Sequence, residues 1–300
     1  MRTAAARSPR RRVDGVLLLD KPSGLSSNAA LQRAKRLFQA EKAGHTGTLD
    51  PLASGLLPLC FGEATKFAQA LLDARKEYVA TLRFGIATTT GDAEGEPVAS
   101  GPSEVERSAV EAALPRFIGR IAQTPPRHSA LKFEGRAYYE YARAGVDIAR
   151  PPREVEIIAL EIVAWSPPAA VLRVACGKGT YIRALAEDVG RALGTHAHLA
   201  ALRRTASGPF LLADAIALDA LEALDLEARD ALLHPVDAPL AAMPRLDLAD
   251  DDAAALLQGR AVPGGAQPAG RYRAYRADRF VGVVAIEDAV IRPLRMARTD

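Results

Sequence analysis

Strand patterns and helix patterns alternate along the body of this chain, and that alternation limits it to folds in which helices cover a sheet. Residues 13–19 form an apolar run typical of a short buried strand, and residues 78–84 alternate as a half-buried strand does. Apolar side chains at helical spacing predict helices after Ser26 or Ser27 and over residues 180–193. The pattern predicts an α/β or α+β sheet with helices on its faces, and α+β is the class to which we commit.

The middle of the chain adds further predicted elements. Residues 86–103 are rich in Thr, Gly, Asp and Pro, and we predict a loop there. A helix is predicted over residues 104–114, where Ser103 and Glu106 have capping-box spacing. Two strands of a hairpin are predicted at residues 154–165 and 170–176.

The end of the chain has the composition of a separate small domain. Residues 235–244 are the best candidate for a linker, and strand patterns at residues 271–275 and 280–286 follow a short helix pattern. About 60 residues are marginal but sufficient for independent folding. We therefore predict three parts: a flexible basic arm at residues 1–12, a main domain at 13–240 and a β-rich domain at 241–300.

Charge is distributed unevenly along the sequence. The net charge is only +3, but residues 214–252 hold eleven acids and two arginines, so the rest of the chain carries +12. A basic body with one acidic block suits a polyanionic partner, and the acidic block would then face away from that partner. The alternative is that the charged faces only keep the protein soluble.

Several classes of protein are excluded by composition. The apolar runs are far too short for a membrane span, and no apolar segment follows the five arginines of residues 1–12, so we expect no membrane insertion and no secretion. The two cysteines, Cys60 and Cys176, have no paired spacing, which argues against a disulfide framework or a zinc knuckle and fits a reducing cytoplasm. His196 and His198 lack the further ligands that a metal site needs.

Residues 44–60 are the most informative stretch of the sequence. They read GHTGTLDPLASGLLPLC, and with Gly62 they predict a long irregular loop in which Asp50 is the central carboxylate. Nearby leucines can shelter Asp50 from water, so that its charge needs a cationic partner. We expect no second carboxylate near Asp50. The alternative is an ordinary turn, because Asp before Pro often begins one.

This stretch closely resembles the catalytic motif of the TruB family, the bacterial tRNA pseudouridine-55 synthases. The resemblance covers residues 13–210 well and the tail loosely, and it implies a mixed β-sheet flanked by helices with a PUA-like C-terminal domain that binds RNA. Six segments carry it in order: DKPSGLSS (20–27), residues 44–60, KEY (76–78), SALK (129–132), GKGTYIR (177–183) and LRR (202–204).

The resemblance also implies roles for individual residues. Asp50 would be the nucleophile, Arg183 its ionic partner, and Tyr78 a ring packed on the target base and a candidate for the base that removes a proton. His45 would fill a gap in the RNA T loop, and Leu202 would line the uracil pocket. The remaining expected substrate-binding residues are Lys21, Lys132 and Tyr181.

The chemistry implied by the resemblance accounts for these residue types. Pseudouridine formation breaks the N1–C1′ bond of uridine, turns the uracil and joins C5 to C1′, so uracil itself is leaving group and returning nucleophile and no cofactor or metal is required. A carboxylate that attacks C1′ or C6 divides this change into two easier steps. We expect the T stem-loop of tRNA as partner, with its target base flipped out, and a monomer without an obligatory protein partner.

Tyrosines interleaved with arginines and lysines over residues 125–150 suit stacking and phosphate contacts, so we predict an RNA-binding insertion there, with a surface loop as the alternative. The tail arginines are expected to contact the acceptor stem: Arg260, Arg271, Arg273, Arg276 and Arg279.

Other interpretations of the sequence remain open. Tyr78 could be ordinary core packing on a strand, and Arg183 could form a surface pair with Glu187 one helical turn away. The whole protein could be a catalytically silent tRNA-binding or tRNA-folding protein, or a guide-RNA-dependent synthase of the dyskerin type. A glycosidase-like hydrolase would need a second carboxylate.

Overall fold

The computed structural model describes residues 10–298 of the chain. Most of the predicted arm, residues 1–9, therefore lies outside the described residues. Within the described part of the arm, Arg11 forms an ion pair with Asp230, and its backbone pairs with Ala40. No helix of residues 10–298 is long and apolar enough to cross a membrane.

Strands and helices alternate as predicted, and the strands outnumber the helices. The strands are β1 (Gly15–Lys21), β2 (Ala43–His45), β3 (Ser54–Phe61), β4 (Lys76–Phe84), β5 (Ile86–Thr88), β6 (Pro97–Ser100), β7 (Gly119–Gln123), β8 (Lys132–Phe133), β9 (Arg136–Ala137), β10 (Arg153–Ser166), β11 (Ala169–Cys176), β12 (Ala197–Ser207), β13 (Phe210–Leu211), β14 (Ile216–Ala217), β15 (Arg245–Leu248), β16 (Val262–Pro263), β17 (Gly270–Arg276), β18 (Arg279–Glu287) and β19 (Val290–Met296). The α-helices are α1 (Ser27–Leu37), α2 (Ala68–Asp73), α3 (Arg107–Ala113), α4 (Tyr138–Arg143), α5 (Ile182–Ala192), α6 (Leu218–Ala223), α7 (Leu226–Asp230) and α8 (Asp250–Leu257).

One large mixed sheet organises the body of the protein. Its strands follow the order β14-β1-β3-β12-β4-β11-β10-β7, with β2 and β13 paired at its side. The β1–β14 and β3–β12 pairs are parallel, and the other pairs are antiparallel. Buried and less buried side chains alternate along β4. Tyr78 and Leu82 therefore face the main core, where Leu185 and Val189 of α5 also lie. The predicted α+β fold with a mixed sheet is confirmed.

The long loop predicted over residues 44–62 is wrong in extent. Most of it forms β2 and β3, and only residues 46–53 lie between these strands. Seven consecutive residues of β3 are buried, because the strand lies inside the sheet and is covered on both faces. A central strand of this kind lacks the alternation of apolar and polar residues by which strands are usually recognised in a sequence.

Two smaller predictions are also corrected. The helix expected over residues 104–114 begins at Arg107, with Glu106 at the N-cap position and no side-chain capping bond, so the capping box is absent. The predicted loop at residues 86–103 contains the short antiparallel pair β5–β6. The cap predicted for the first helix is present, since Ser26 accepts a hydrogen bond from the Ala29 amide.

A second sheet of five strands forms the C-terminal part, in the order β15-β17-β18-β19-β16. Its own core includes Leu256 from α8 and Val284 from β18. A smaller apolar cluster joins it to the body, where the Phe67 and Phe280 rings meet edge to face with centroids 5.2 Å apart. The predicted β-rich C-terminal domain is confirmed.

Asp237 ties the chain between the two sheets to the C-terminal part. Its carboxylate lies 2.8 Å from Arg273 Nη1 and also accepts a hydrogen bond from the Tyr275 hydroxyl. Only 10% of the Asp237 side chain is exposed, so water cannot readily replace these partners.

We predict that Asp237→Ala lowers the free energy of unfolding by about 2 kcal/mol, because it leaves a half-buried guanidinium and a buried hydroxyl without their acceptor. Urea unfolding of the full chain measures the change. The matched control is Asp278→Ala, which removes a fully exposed carboxylate 3.4 Å from Arg245 and should have no measurable effect. Equal effects of the two substitutions would contradict this account.

Candidate active site

The loop between β2 and β3 presents Asp50 and is fixed to helix α1. The Leu49 amide donates to Ser27 Oγ over 2.7 Å, and Ser27 Oγ donates to the Leu49 carbonyl over 2.8 Å. The Ala53 amide donates to the Asp50 carbonyl, as in a turn. Asp50 therefore does sit in the turn that its sequence indicates, but Leu49, only 2% exposed, anchors that turn in the core.

Asp50 faces a cavity of about 290 Å³ in the body of the protein. Its walls come from five parts of the chain that are distant in sequence: the Asp50 loop, the α2–β4 region, the start of the 125–150 insertion, the glycine-rich turn before α5, and strand β12. Five of the predicted site residues line it, namely Asp50, Tyr78, Tyr181, Arg183 and Leu202.

Arg183 pairs with Asp50 across this cavity, as predicted. Its Nη2 lies 3.0 Å from Asp50 Oδ2, and only 6% of the arginine side chain is exposed. The same guanidinium donates to the carbonyls of Thr90, over 3.0 Å, and His128, over 2.8 Å. Arg183 is held on several sides, so the alternative of a surface pair with Glu187 is wrong.

A second carboxylate, Asp92, lies beside the same guanidinium. Asp92 Oδ2 is 3.7 Å from Arg183 Nε, and the Asp92 side chain is 5% exposed. It also accepts hydrogen bonds from Thr90 Oγ1 over 2.5 Å and from the Glu94 amide over 3.1 Å. The expectation that no other acid stands near Asp50 is therefore wrong, because the fold brings one from the loop after β5.

Opposing effects set the ionisation of Asp50. Burial raises the pKa of its carboxyl, the charge and hydrogen bond of Arg183 lower it, and the negative charge of Asp92 raises it again. The net result is a raised pKa. Since 41% of the Asp50 side chain remains exposed to the cavity, the carboxylate is available to a ligand while its flanks are covered.

Tyr78 lies on β4 with its side chain in both the core and the cavity wall. It is 9% exposed, and burial raises the pKa of its phenol, an effect that the neighbouring Arg204 guanidinium opposes. Tyr78 thus packs in the core and also lines the site, because the same face of β4 contributes to the core and to the cavity wall.

Arg204 is a site residue whose importance the sequence pattern did not reveal. It is 1% exposed and lines the cavity, where its Nε donates to the Leu56 carbonyl and its Nη2 to the Gly47 carbonyl. Gly55 allows this arrangement: its φ is +98°, and a Cβ there would lie 2.4 Å from the Arg204 carbonyl oxygen. Close approach of β3 and β12 therefore depends on that glycine.

Tyr181 and Leu202 lie in the cavity wall as the resemblance implied. Gln123 holds Tyr181 in place: its Oε1 accepts from the Tyr181 amide over 2.8 Å, and its Nε2 donates to the Tyr181 carbonyl over 3.0 Å. Gln123 is 2% exposed and was not predicted, since a lone glutamine carries no sequence signal.

Three expected substrate-binding residues are not among the cavity-lining side chains. Lys21 is fully buried, and its ammonium donates to the carbonyls of Pro22 and Leu25, so it acts on Asp50 through charge and not as an exposed contact for RNA. His45 is half-buried on β2, its Nδ1 has no hydrogen-bond partner, and burial lowers its pKa. Lys132 is exposed on β8 in the insertion.

The tail arginines differ among themselves. Arg271 and Arg260 are exposed, whereas Arg276 Nε lies 2.6 Å from Asp250 and Arg273 is bound to Asp237. Ion pairs within the protein therefore already engage two of the expected acceptor-stem contacts. Among residues 10–298, no cluster of three or more His, Cys, Asp or Glu could hold a metal ion.

Comparison with known families matches nearly the whole chain in three consecutive segments. Residues 35–182 match the TruB family pseudouridylate synthase N-terminal domain. Residues 183–241 match the tRNA pseudouridylate synthase B C-terminal domain, and residues 244–297 match the pseudouridine synthase II TruB C-terminal domain.

Individual relatives agree with this match. A tRNA pseudouridine synthase B from Burkholderia lata is 54% identical over 100% of this chain and 96% of its own length. One from Thiobacillus denitrificans is 55% identical over 97% of this chain and 98% of its own. Among solved structures, the crystal structure of a Cbf5-Nop10-Gar1 complex contains a chain that aligns with a TM-score of 0.72 at 27% identity, covering 98% of this chain and 91% of that one.

The cavity with its paired Asp50 and Arg183 thus belongs to a chain that is 54% and 55% identical to these two relatives over 96% and 98% of their lengths. The chain is a member of the TruB family of pseudouridylate synthases.

Proposed function

We propose that this protein converts uridine 55 in the T loop of tRNA into pseudouridine, with Asp50 as the nucleophile and without a cofactor. The observation that carries the proposal is the 3.0 Å contact between Asp50 and the buried Arg183 inside a cavity that Tyr78 also lines. The relatives named tRNA pseudouridine synthase B support tRNA as the substrate.

The role of Asp50 follows from its surroundings. A carboxylate must be ionised to attack C1′ or C6 of the uridine, and burial opposes that state. Arg183 supplies the compensating charge, and Asp92 with two backbone carbonyls holds the guanidinium at the correct position. Because the guanidinium is planar and bonded on several edges, a lysine could not replace it.

Base flipping explains the shape of the site. The target base is stacked inside the T loop and has to leave it before Asp50 can reach the nucleotide. The Tyr78 ring offers a surface on which the flipped uracil can pack, and Leu202 offers an apolar wall. His45, with its unpartnered Nδ1, and the exposed Lys132 are proposed to contact the RNA outside the cavity.

The insertion is proposed to bind RNA as well. Tyr139 is exposed and lies beneath the Arg143 guanidinium, and Tyr141 lies beneath that of Arg136. Aromatic rings and cations interleaved in this way suit unpaired bases and phosphates. We propose further that the protein acts as a monomer in the cytoplasm, without a guide RNA or an obligatory protein partner.

The direct test is to incubate the purified protein with an unmodified tRNA transcript and map new pseudouridine. We expect modification at position 55 by the wild type and at least about a thousandfold slower reaction by Asp50→Asn, which removes the charge with little change of shape. The variant should bind the transcript within about tenfold of wild type. Pseudouridine at another position, or near wild-type turnover by the variant, would contradict the proposal.

Tyr78→Phe separates packing from proton transfer. The variant keeps the ring, so we expect KM to change little, whereas kcat should fall by about a hundredfold if the phenol removes the proton at C5. Single-turnover and steady-state kinetics on the same transcript measure the two effects. An unchanged kcat would leave Tyr78 only as a packing surface and would rule out the phenol as the base.

A further inference from the structure

The side chain of Ser129 is buried in the cavity wall without a hydrogen-bond partner. Ser129 is 4% exposed, it lines the cavity, and its Oγ makes no hydrogen bond. Across residues 10–298, only two other buried side-chain atoms share this property, His45 Nδ1 and Ser207 Oγ. Because buried polar groups are almost always paired in folded proteins, each exception calls for an explanation.

The backbone around Ser129 fixes the hydroxyl in this position. The Ser129 carbonyl accepts a hydrogen bond from the Tyr139 amide over 3.1 Å, which ties it to α4. The preceding carbonyl, of His128, accepts from Arg183 Nη2 over 2.8 Å. The residue is thus held on one side by the insertion and on the other by the arginine that pairs with Asp50.

The neighbouring hydroxyl of Tyr181 does not satisfy Ser129. Burial raises the pKa of the Tyr181 phenol, and the hydrogen-bonding influence of the Ser129 hydroxyl and the charge of Arg183 partly oppose that effect. The two hydroxyls are close enough for this influence, yet Ser129 Oγ meets no group in hydrogen-bond geometry. Two adjacent hydroxyls therefore border the same part of the cavity.

Most other polar groups of the wall are already engaged inside the protein. Lys76 donates to the carbonyls of Leu72 and Ala74, and Arg204 donates to those of Leu56 and Gly47. Thr180 Oγ1 donates to the Gly177 carbonyl over 3.1 Å. The Ser129 hydroxyl, in contrast, could form a hydrogen bond to a ligand in the cavity without breaking a hydrogen bond within the protein.

We propose that Ser129 Oγ is a positioning group for the flipped uridine and forms a hydrogen bond to it that the free protein leaves unmade. The proposal rests on the proposed function. A serine hydroxyl can donate to a uracil oxygen or to the ribose 2′-oxygen, and it can accept from uracil N3–H. The insertion would then supply a contact to the reacting nucleotide as well as contacts to the surrounding RNA.

The test compares Ser129→Ala with Ser129→Thr and with Ser207→Ala, measured as kcat/KM on the tRNA transcript. We expect Ser129→Ala to lower kcat/KM about tenfold, because a polar group of the bound uridine is left unpaired. Ser129→Thr keeps a hydroxyl and should stay within about threefold of wild type. Ser207 is also fully buried and unpartnered but does not line the cavity, so Ser207→Ala should leave kcat/KM unchanged.

Thermal unfolding distinguishes positioning from a structural role. Since Ser129 Oγ makes no hydrogen bond in the free protein, Ser129→Ala should not lower the melting midpoint. A transcript with 2′-deoxyuridine at the target identifies the contact. If the tenfold loss disappears on it, the hydroxyl binds the ribose, and if the loss persists, the hydroxyl binds the base.

Two results would overturn the proposal. One is an unchanged kcat/KM for Ser129→Ala while the wild type is active, which leaves the proposed function standing. The other is a loss that comes with a lower melting midpoint and is not restored by threonine. A wild type without activity on the transcript would contradict the proposed function itself, and the Ser129 proposal with it.

Discussion

The buried guanidinium of Arg183 is the group on which the rest of the site depends. It pairs with Asp50, lies next to Asp92, and donates to carbonyls from the loop after β5 and from the start of the insertion. A charge that is only 6% exposed is costly unless it is paired on all sides, so Arg183 links α5 to three segments, namely the Asp50 loop, the loop after β5 and the start of the insertion. The position of Asp50 is therefore set by this cation together with the Ser27–Leu49 hydrogen bonds that anchor its loop.

The sheet makes this convergence possible. The strand β4 lies between β12 and β11, so Tyr78 of β4 and Arg204 of β12 are direct neighbours in register. The Asp50 loop precedes β3, whose parallel pairing with β12 at Gly55 brings it over the same region. Helix α5 then begins beside the cavity and places Arg183 there. Strand order, and not sequence proximity, assembles the site.

Much of this could be predicted from the sequence, and the failures have physical causes. The alternation of Tyr78 to Phe84 and the helical spacing before Val189 are local signals, and both elements are present. The strand β3 was missed because burial on both faces removes alternation. Asp92, Arg204 and Gln123 were missed because their roles arise only when distant segments meet. Lys21 was expected among the substrate-binding residues, but an ammonium bound to two carbonyls is indistinguishable in sequence from an exposed one.

The central claim is that Asp50 is a carboxylate whose ionisation is set by burial, by Arg183 and by Asp92. The most direct measurement is a ¹³C NMR titration of the Asp50 carboxyl in the free protein, with Asp92→Asn and Asp188→Asn as a matched pair of variants. The account predicts a wild-type midpoint above the ordinary 3.8, a lower midpoint in Asp92→Asn because one negative neighbour is gone, and no change in Asp188→Asn. A wild-type midpoint at or below 3.8, or no response to Asp92→Asn, would contradict it.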